Sequence, residues 1–352
     1  MIVHIFNDQQ KFSRGYFQML SDHEFELSDQ VLFHYGKRDS FFDNLGVTTH
    51  FLRSWFLPHG HLQLLAAMRR ADHIVVHSMA APMLVLSLAL LPNLGRKVTW
   101  VIWGKDLYLY AVSRHKSVPL RVYEIFRKKA IRNIGHVVTG FEEDYEELRR
   151  LYETRASNTS CTLLYPYNVQ RSGAIPIQVC AEPYVVLLGN SASTTNDHIE
   201  MLQWLSLNDK QIAKIIVPLS YGGSRRYVRR VVKEGRRLFT DRFVPVTGFM
   251  EASAYYALIS QVDVAVFNHK RQEAFNNICT LILGGVTVYL NAEISTAGFM
   301  KRLGVVVGDC RDIAQEGLHC TSGVDRTSNA LILSAELDVA RSVEKWRNIL
   351  RV

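Results

Sequence analysis

Short apolar runs alternate with amphipathic stretches of helical period over most of this 352-residue chain. In the first half, Ile2–Phe6, Val31–Tyr35, His73–His77, Val98–Trp103, His136–Thr139 and Thr162–Tyr165 read as strands. Helices are predicted at His61–Arg70, Pro82–Leu91, about Val118–Arg132 and Glu142–Tyr152. Residues 166–183 break the pattern with Pro166, Gly173, Pro176 and Pro183, so a linker is placed at 169–183. The second half resumes with strands at Val185–Leu188, Ile212–Val217, Phe243–Val246, Val262–Phe267 and Val286–Leu290. Between them lie helices from about Asn196, at Arg225–Phe239, Ala252–Ser260 and Phe275–Leu283. Alternation at this spacing builds a parallel sheet covered by helices on both faces. The predicted fold class is therefore α/β: two Rossmann-like domains, 1–168 and 184–352, whose mostly parallel sheets face a cleft. The last helices are left free to pack back on the first domain.

Composition narrows the class. Apolar residues make up 48% and charged residues 21%, the mixture of a soluble globular protein. No apolar run reaches the roughly 18–20 residues of a membrane span, and the longest, around Ala80–Leu91, is interrupted by Pro82. The N-terminus enters a strand directly without a basic leader, which points to a cytoplasmic protein. Five cysteines, Cys161, Cys180, Cys279, Cys310 and Cys320, show no CxxC spacing. They read as small buried hydrophobes in a reducing compartment and not as a disulfide framework or a metal site. The net charge of +8 is spread evenly, +4 on each side of residue 170. No nucleic-acid-binding motif accompanies it, so nucleic acid is excluded as a partner.

Candidate chemistry lies in the loops that follow strands. In VVLLGNSASTTNDHIEMLQWL (185–205) a buried strand ends at Gly189, and small hydroxyl and amide residues open a helix. Free N–H groups and the helix dipole suit such a turn to a phosphate or pyrophosphate. The alternative is an ordinary turn with Ser193, Thr194 or Asn196 as N-cap. Gly189, Asn190 and Ser191 follow that strand; Pro218, Ser220, Tyr221, Gly222 and Gly223 follow the next. Asn268, His269, Arg271, Gln272, Glu273, Asn276 and Asn277 follow the strand at 262–267. Arg271 can pair with a phosphate, and Asn276 or Asn277 can cap the helix beginning there. A surface salt bridge is the alternative for Arg271.

The first half offers WVIWGKDLYLY (100–110), where Trp103 and Gly104 end a strand and Asp106 either caps the next helix or acts as a base. His77 ends a neighbouring strand and is either a second candidate base or a hydrogen-bonded core residue. No HExxH, paired-cysteine or Asp-x-Asp motif is present, so no cofactor and no essential metal are expected. Charge neutralisation then falls to helix N-termini and arginines. A GxSxG elbow is also missing, which removes support for an α/β-hydrolase. Two basic amphipathic segments, 113–132 and 224–239, read as solvated helices, the first also as a contact for anionic lipid headgroups.

WVIWGKDLY, LLGNSASTTNDHIEML, IIVPLSYGGS, the pair Arg271–Gln272 and the later GGVTVYLN resemble the bacterial dTDP-N-acetylfucosamine:lipid II N-acetylfucosaminyltransferases, also called 4-α-L-fucosyltransferases. His77 and Tyr165 fall where that family's pattern places them, and the similarity runs in order over roughly 70–310. The resemblance implies a GT-B glycosyltransferase without essential metal, the second domain binding the sugar nucleotide and the first the acceptor. Relatives of this kind extend an undecaprenyl-diphosphate-linked oligosaccharide at the inner face of the cytoplasmic membrane. After Arg271–Gln272 the family tends to Gly-Ile-Gly-Thr, whereas this chain has Ala274, Phe275, Asn276 and Asn277. That departure changes the shape of the presumed sugar pocket.

The expectation is a transferase moving a sugar, such as N-acetylfucosamine or a related deoxy or amino sugar, from a nucleotide diphosphate to a lipid-linked or surface-polysaccharide acceptor. Gly189, Asn190, Ser191, Asn196, Pro218, Tyr221, Arg271, Gln272, Asn276 and Asn277 form the expected donor side. Trp103, Gly104, Lys105 and Tyr165 form the acceptor side, with Asp106 or His77 as base, and segment 113–132 meets the inner-membrane surface. Rival readings are a two-domain protein that binds an anionic small molecule and a nucleotide-sugar epimerase.

Overall fold

Every strand pairing found among the described residues is parallel, as the strand–helix alternation requires. The computed structural model describes residues 1–6, 10–35, 38–52, 58–79, 81–113, 116–164 and 180–351. Most of the linker expected at 169–183 lies outside them. The chain divides into two units, one of 1–170 with 337–352 and one of 171–336.

The first unit holds a seven-stranded sheet in the order β3-β2-β1-β4-β5-β6-β7. Its strands are β1 (Ile2–Phe6), β2 (Gln30–Tyr35), β3 (Thr48–Leu52), β4 (His73–His77), β5 (Val98–Val101), β6 (His136–Thr139) and β7 (Ser157–Ser160). Side chains alternate between two buried faces, as the period of two demands. Val3, Ile5, Ile74, Val76 and Trp100 enter one core, while Phe6, Val75, Val101 and Val138 enter the other. The C-terminal helix Val339–Leu350 covers that second face with Val343, Trp346 and Ile349. Its Trp346 indole N–H donates to the Leu164 carbonyl at 3.0 Å, and Arg347 donates to the His23 carbonyl at 2.7 Å.

The second unit holds β8 (Tyr184–Leu188), β9 (Ile212–Pro218), β10 (Phe243–Val246), β11 (Val264–Phe267), β12 (Thr287–Leu290) and β13 (Gly308–Asp309). Their order is β10-β9-β8-β11-β12-β13. In each sheet the direction of growth reverses once, between β1 and β4 and between β8 and β11. Connections leave in opposite directions at such a point and open a crevice at the strand carboxyl ends.

Three expectations are corrected. The last strand of the first sheet is the polar Ser157–Ser160 and not Thr162–Tyr165. It is an edge strand that pairs with β6 through its backbone while its side chains stay half-exposed. The helix expected from about Asn196 begins at His198, because Asp197 takes a left-handed conformation (φ 49°) after a 3-10 turn over Thr194–Asn196. Finally, Cys180 and Cys320 form a disulfide across 140 residues of sequence, their Cα atoms 6.1 Å apart and so within bridging range. Cys161, Cys279 and Cys310 are buried and stand outside that disulfide.

On the face covered by Trp346, His4 and His77 lie fully buried with their rings 3.4 Å apart at Nδ1 and Nε2. His77 stacks on Phe6 with centroids 3.6 Å apart and presents an edge contact to Tyr16. Desolvation lowers His4 to about 3 and holds His77 well below its ordinary value. Both rings are therefore neutral in the folded unit, whereas the unfolded chain binds protons below about pH 6.5. Stability is full above that pH and is lost as pH falls toward 3, by about 1.4 kcal/mol per pH unit for each histidine. Urea midpoints of the first unit should drop between pH 6.5 and 4, and His4→Gln should remove one histidine's share of the slope. A midpoint independent of pH over that range would show that these rings are not buried neutral.

Candidate functional site

The crevice of the second unit is bounded by the loops after β8, β9 and β11, three adjacent strands. Gly189 leaves β8 at φ 70°, and a Cβ there would lie 2.5 Å from Asn196 Oδ1 and 2.8 Å from His198 Nε2. The backbone must pass this close because Asn196, fully buried, receives the Asn190 N–H on Oδ1 at 3.1 Å. His269 Nε2 lies 3.0 Å from the same oxygen and 3.1 Å from Asn190 Oδ1. Two oxygen acceptors at one ring nitrogen fix the proton on Nε2. Burial lowers His269 to about 3, aided by Arg271 and His198, so the imidazole stays neutral in this role.

The β8 and β9 loops are locked together. Ala192 N–H donates to the Tyr221 carbonyl at 2.7 Å, and a Cβ on Gly223 would stand 1.9 Å from the Ala192 carbonyl oxygen. Asn190 Nδ2 reaches the Tyr221 hydroxyl at 3.4 Å, leaving that ring 58% exposed at the rim. Pro218 is buried as the last residue of β9. This closure uses most of the turn's N–H groups internally. Gly189, Asn190, Ala192, Ser193, Thr195 and Asn196 all donate within the unit. Gly189 and Asn190 thus shape the turn instead of offering N–H groups to an anion, and those of Ser191 and Thr194 have no hydrogen-bond partner among the described residues.

On the β11 side, Arg271 is ion-paired with Glu273, both side chains about nine-tenths buried. Glu273 also accepts from the Thr195 hydroxyl at 2.7 Å, which in turn lies 2.7 Å from Ser193 Oγ. Gln272 is half-buried beside them. Asn277 Nδ2 donates to the Tyr255 hydroxyl at 3.2 Å. Neither Asn276 nor Asn277 caps the helix Phe275–Leu283; its cap is Ala274, held at φ 56°. Glu273, Thr195, His198, Tyr227 and Tyr255 belong to this network although no motif singles them out. Glu273 stands in the polar run after the strand at 262–267 and Thr195 and His198 in the run after Leu188, whereas Tyr227 and Tyr255 lie inside helices, where spacing gives no signal.

In the first unit, Asp106 lies in the first turn of the short helix Lys105–Tyr108, 3% exposed. Its Oδ2 receives the Met79 N–H at 3.0 Å and the Trp100 indole N–H at 2.8 Å, and Oδ1 receives the Trp103 N–H at 2.9 Å. The cap is Gly104, at φ 77°. Both Asp106 oxygens are thus engaged in tying the β4 loop to the β5 loop, and His77 is enclosed by aromatic rings. In this arrangement both residues serve the packing of the unit. Trp103 packs on Phe12 with centroids 5.0 Å apart, Lys105 is exposed, and Tyr165 lies outside the described residues.

Helix Val118–Asn133 exposes Val118, Val122 and Ile125 (70%, 48% and 67%) among Arg121, Lys128, Lys129 and Arg132. Arg127 is not part of that face. It is fully buried against Glu124, the Tyr152 hydroxyl and the Asp106 carbonyl. Among the described residues no helix is long and apolar enough to cross a membrane.

A family model described as 4-alpha-L-fucosyltransferase, glycosyl transferase group 56, matches residues 60–305. Among solved structures, the chain is similar to a glycosyltransferase from Rickettsia africae ESF-5 at 11% identity, covering 99% of this chain and 97% of that one with a TM-score of 0.64. Sucrose-phosphate synthase from Thermosynechococcus elongatus matches at 11% identity over 99% and 98% of the two chains, TM-score 0.68. Anabaena HepE in complex with UDP and glucose matches at 14% identity over 99% of each chain, TM-score 0.66. At these identities the likeness is one of fold, that of the GT-B class.

Two predictions follow from the geometry. An alanine in the left-handed region is strained by about 1 kcal/mol, so Ala274→Gly should raise the melting temperature of the second unit by a few degrees. An unchanged or lower value would mean that the cap is unstrained. Asp106→Asn sets an amide NH₂ against N–H donors and should destabilise the first unit by about 2 kcal/mol, with turnover falling only as far as the folded fraction does. A variant that melts normally and shows no turnover would return Asp106 to the role of base.

Proposed function

The chain belongs to the 4-alpha-L-fucosyltransferase family, glycosyl transferase group 56, and from that membership we propose that it moves a deoxy or amino sugar such as N-acetylfucosamine from dTDP to a lipid-linked saccharide. The enzyme is a glycosyltransferase; binding without chemistry and epimerisation, the two rival readings, do not fit that family. The observation that carries the donor assignment is the turn at 189–196, closed by Asn196 and His269 at the switch point of the second sheet. The diphosphate lies against the N–H groups of Ser191 and Thr194. Arg271 exchanges Glu273 for a phosphate oxygen, and the exposed Tyr221 ring receives the base. Gln272, Asn276 and Asn277 contact the sugar, with Pro218 as the floor of the β9 loop.

In the reaction the bond from the anomeric carbon to the diphosphate breaks, a bond to the acceptor oxygen forms, and the hydroxyl proton is released. Negative charge grows on the departing diphosphate, and preorganised N–H groups with Arg271 stabilise it there without a metal. Trp103, Gly104, Lys105 and Tyr165 form the acceptor side, where Asp106 is a structural tie between the two loops. The setting is the bacterial cell envelope. The exposed apolar stripe of Val118, Val122 and Ile125, flanked by cations, suits peripheral attachment to the cytoplasmic face of the inner membrane.

Thermal unfolding with dTDP, UDP and GDP tests the donor site, since a ligand of the folded state raises its melting temperature. dTDP should give the largest shift, also in EDTA. Asn196→Ala leaves the Asn190 N–H without its acceptor and should weaken nucleotide binding by about 10-fold or more. No shift with any nucleotide at millimolar concentration would reject the site, and a shift abolished by EDTA would reject metal independence.

A further inference from the structure

The helix Arg225–Phe239 of the second unit carries seven cations: Arg225, Arg226, Arg229, Arg230, Lys233, Arg236 and Arg237. At 3.6 residues per turn they all fall within an arc of about 140°, and the opposite side buries Val231, Gly235 and Phe239 against the sheet. All seven are exposed. Arg237 pairs with Glu234 at 2.7 Å. The other six have no carboxylate partner among the described residues. With one acidic residue against seven basic ones, this single helix accounts for +6 of the chain's net +8.

The stability of the helix does not explain the stripe. Like charges three and four residues apart repel by a few tenths of a kcal/mol per pair. Arg225 and Arg226 also stand in the first turn, where the positive end of the helix dipole disfavours a cation. What such a stripe recognises is an extended anionic surface. It is about 22 Å long. Its exposed face carries no aromatic ring for stacking on bases, unlike the grooves that bind single strands. A plane of acidic headgroups presents matching charge along its whole length, and each cation near such a plane contributes about 1 kcal/mol.

We propose that the helix Arg225–Phe239 docks the donor-binding unit on an anionic lipid surface, as a contact separate from the apolar stripe of the first unit. This rests on the reading that the acceptor is lipid-linked. The two contacts differ in kind. Burial of Val118, Val122 and Ile125 is insensitive to salt, whereas docking through guanidinium groups is screened within a Debye length of about 8 Å at physiological ionic strength.

The test is sedimentation of the full chain with phosphatidylcholine vesicles, with and without roughly one-third phosphatidylglycerol. The variant replaces Arg229→Gln, Arg230→Gln, Lys233→Gln and Arg236→Gln together, all exposed and on the solvent face of the helix, while Tyr227, which meets His198 at the site, is kept. Its partition to anionic vesicles should fall by about 100-fold or more at low salt, while its melting temperature and slow donor hydrolysis stay those of the parent. Val118→Ser with Ile125→Ser should instead lower binding to both vesicle types. Undiminished binding of the fourfold variant would overturn the proposal. So would a parent that binds neutral and anionic vesicles alike, or that prefers duplex DNA or inorganic polyphosphate to vesicles. If no nucleotide shifts the melting temperature yet the stripe still binds anionic vesicles, the donor reading fails and the docking surface stands.

Discussion

One buried oxygen, Oδ1 of Asn196, holds the second unit's carboxyl edge in shape. It receives the backbone N–H of Asn190 and the Nε2 proton of His269, and so joins the loop after β8 to the loop after β11 across the point where the sheet reverses. The same oxygen leaves no room for a Cβ at Gly189. An amide suits this position because it is neutral. A carboxylate there would carry a charge into a site whose other members, His198 and His269, are themselves kept neutral by burial. The residues that close the turn are thus uncharged, the condition that the proposed diphosphate would require there.

The first unit solves the same geometric problem with a charged group. Asp106 collects three N–H donors from Met79, Trp100 and Trp103, tying the loop after β4 to the loop after β5. Its backbone carbonyl is held in turn by the buried Arg127 of helix Val118–Asn133. A carboxylate is tolerable here because every donor comes from a rigid backbone or ring position and the ion pair Arg127–Glu124 lies on the adjoining helix. Asp106 therefore reads as the organiser of a crevice, the counterpart of Asn196. The motif WGKDLY is informative for this reason even though its acid is not exposed.

Much of this architecture was legible in the sequence, because it depends on period and punctuation. Strands at His73–His77, His136–Thr139 and Phe243–Val246 and helices at Glu142–Tyr152, Arg225–Phe239 and Phe275–Leu283 have the predicted limits. The features that escaped depend on partners distant in sequence. β7 is a polar segment made into a strand by the backbone of β6, and the Cys180–Cys320 pair depends on two chain ends of one unit meeting. In the site, the position of the loops after β8, β9 and β11 was readable from strand ends. The use of their N–H groups was not, since whether a turn offers its donors to a ligand or consumes them is decided by side chains such as Asn196 and by the carbonyl of Tyr221. The same holds for His77. A histidine at a strand end reads alike whether it faces a crevice or Trp346.

The segment 274–277 shows how a departure from the family pattern is accommodated. Where the family tends to glycine, Ala274 takes a left-handed conformation that glycine adopts freely and alanine adopts with strain. Phe275 turns inward onto Phe299 at 5.7 Å and is 8% exposed, which anchors the start of the helix by packing and not by a cap. The ring thus packs into the interior, and Asn277 donates to the Tyr255 hydroxyl. A pocket wall bearing fixed amide donors and acceptors rejects a sugar that lacks the matching hydroxyl or acetamido group far more strongly than a flexible glycine turn can, since the unmatched amide would be left unpaired. Under the proposed donor reading, selectivity among related deoxy and amino sugars would be concentrated in this segment, and the turn at 189–196 would hold the diphosphate that all such donors share.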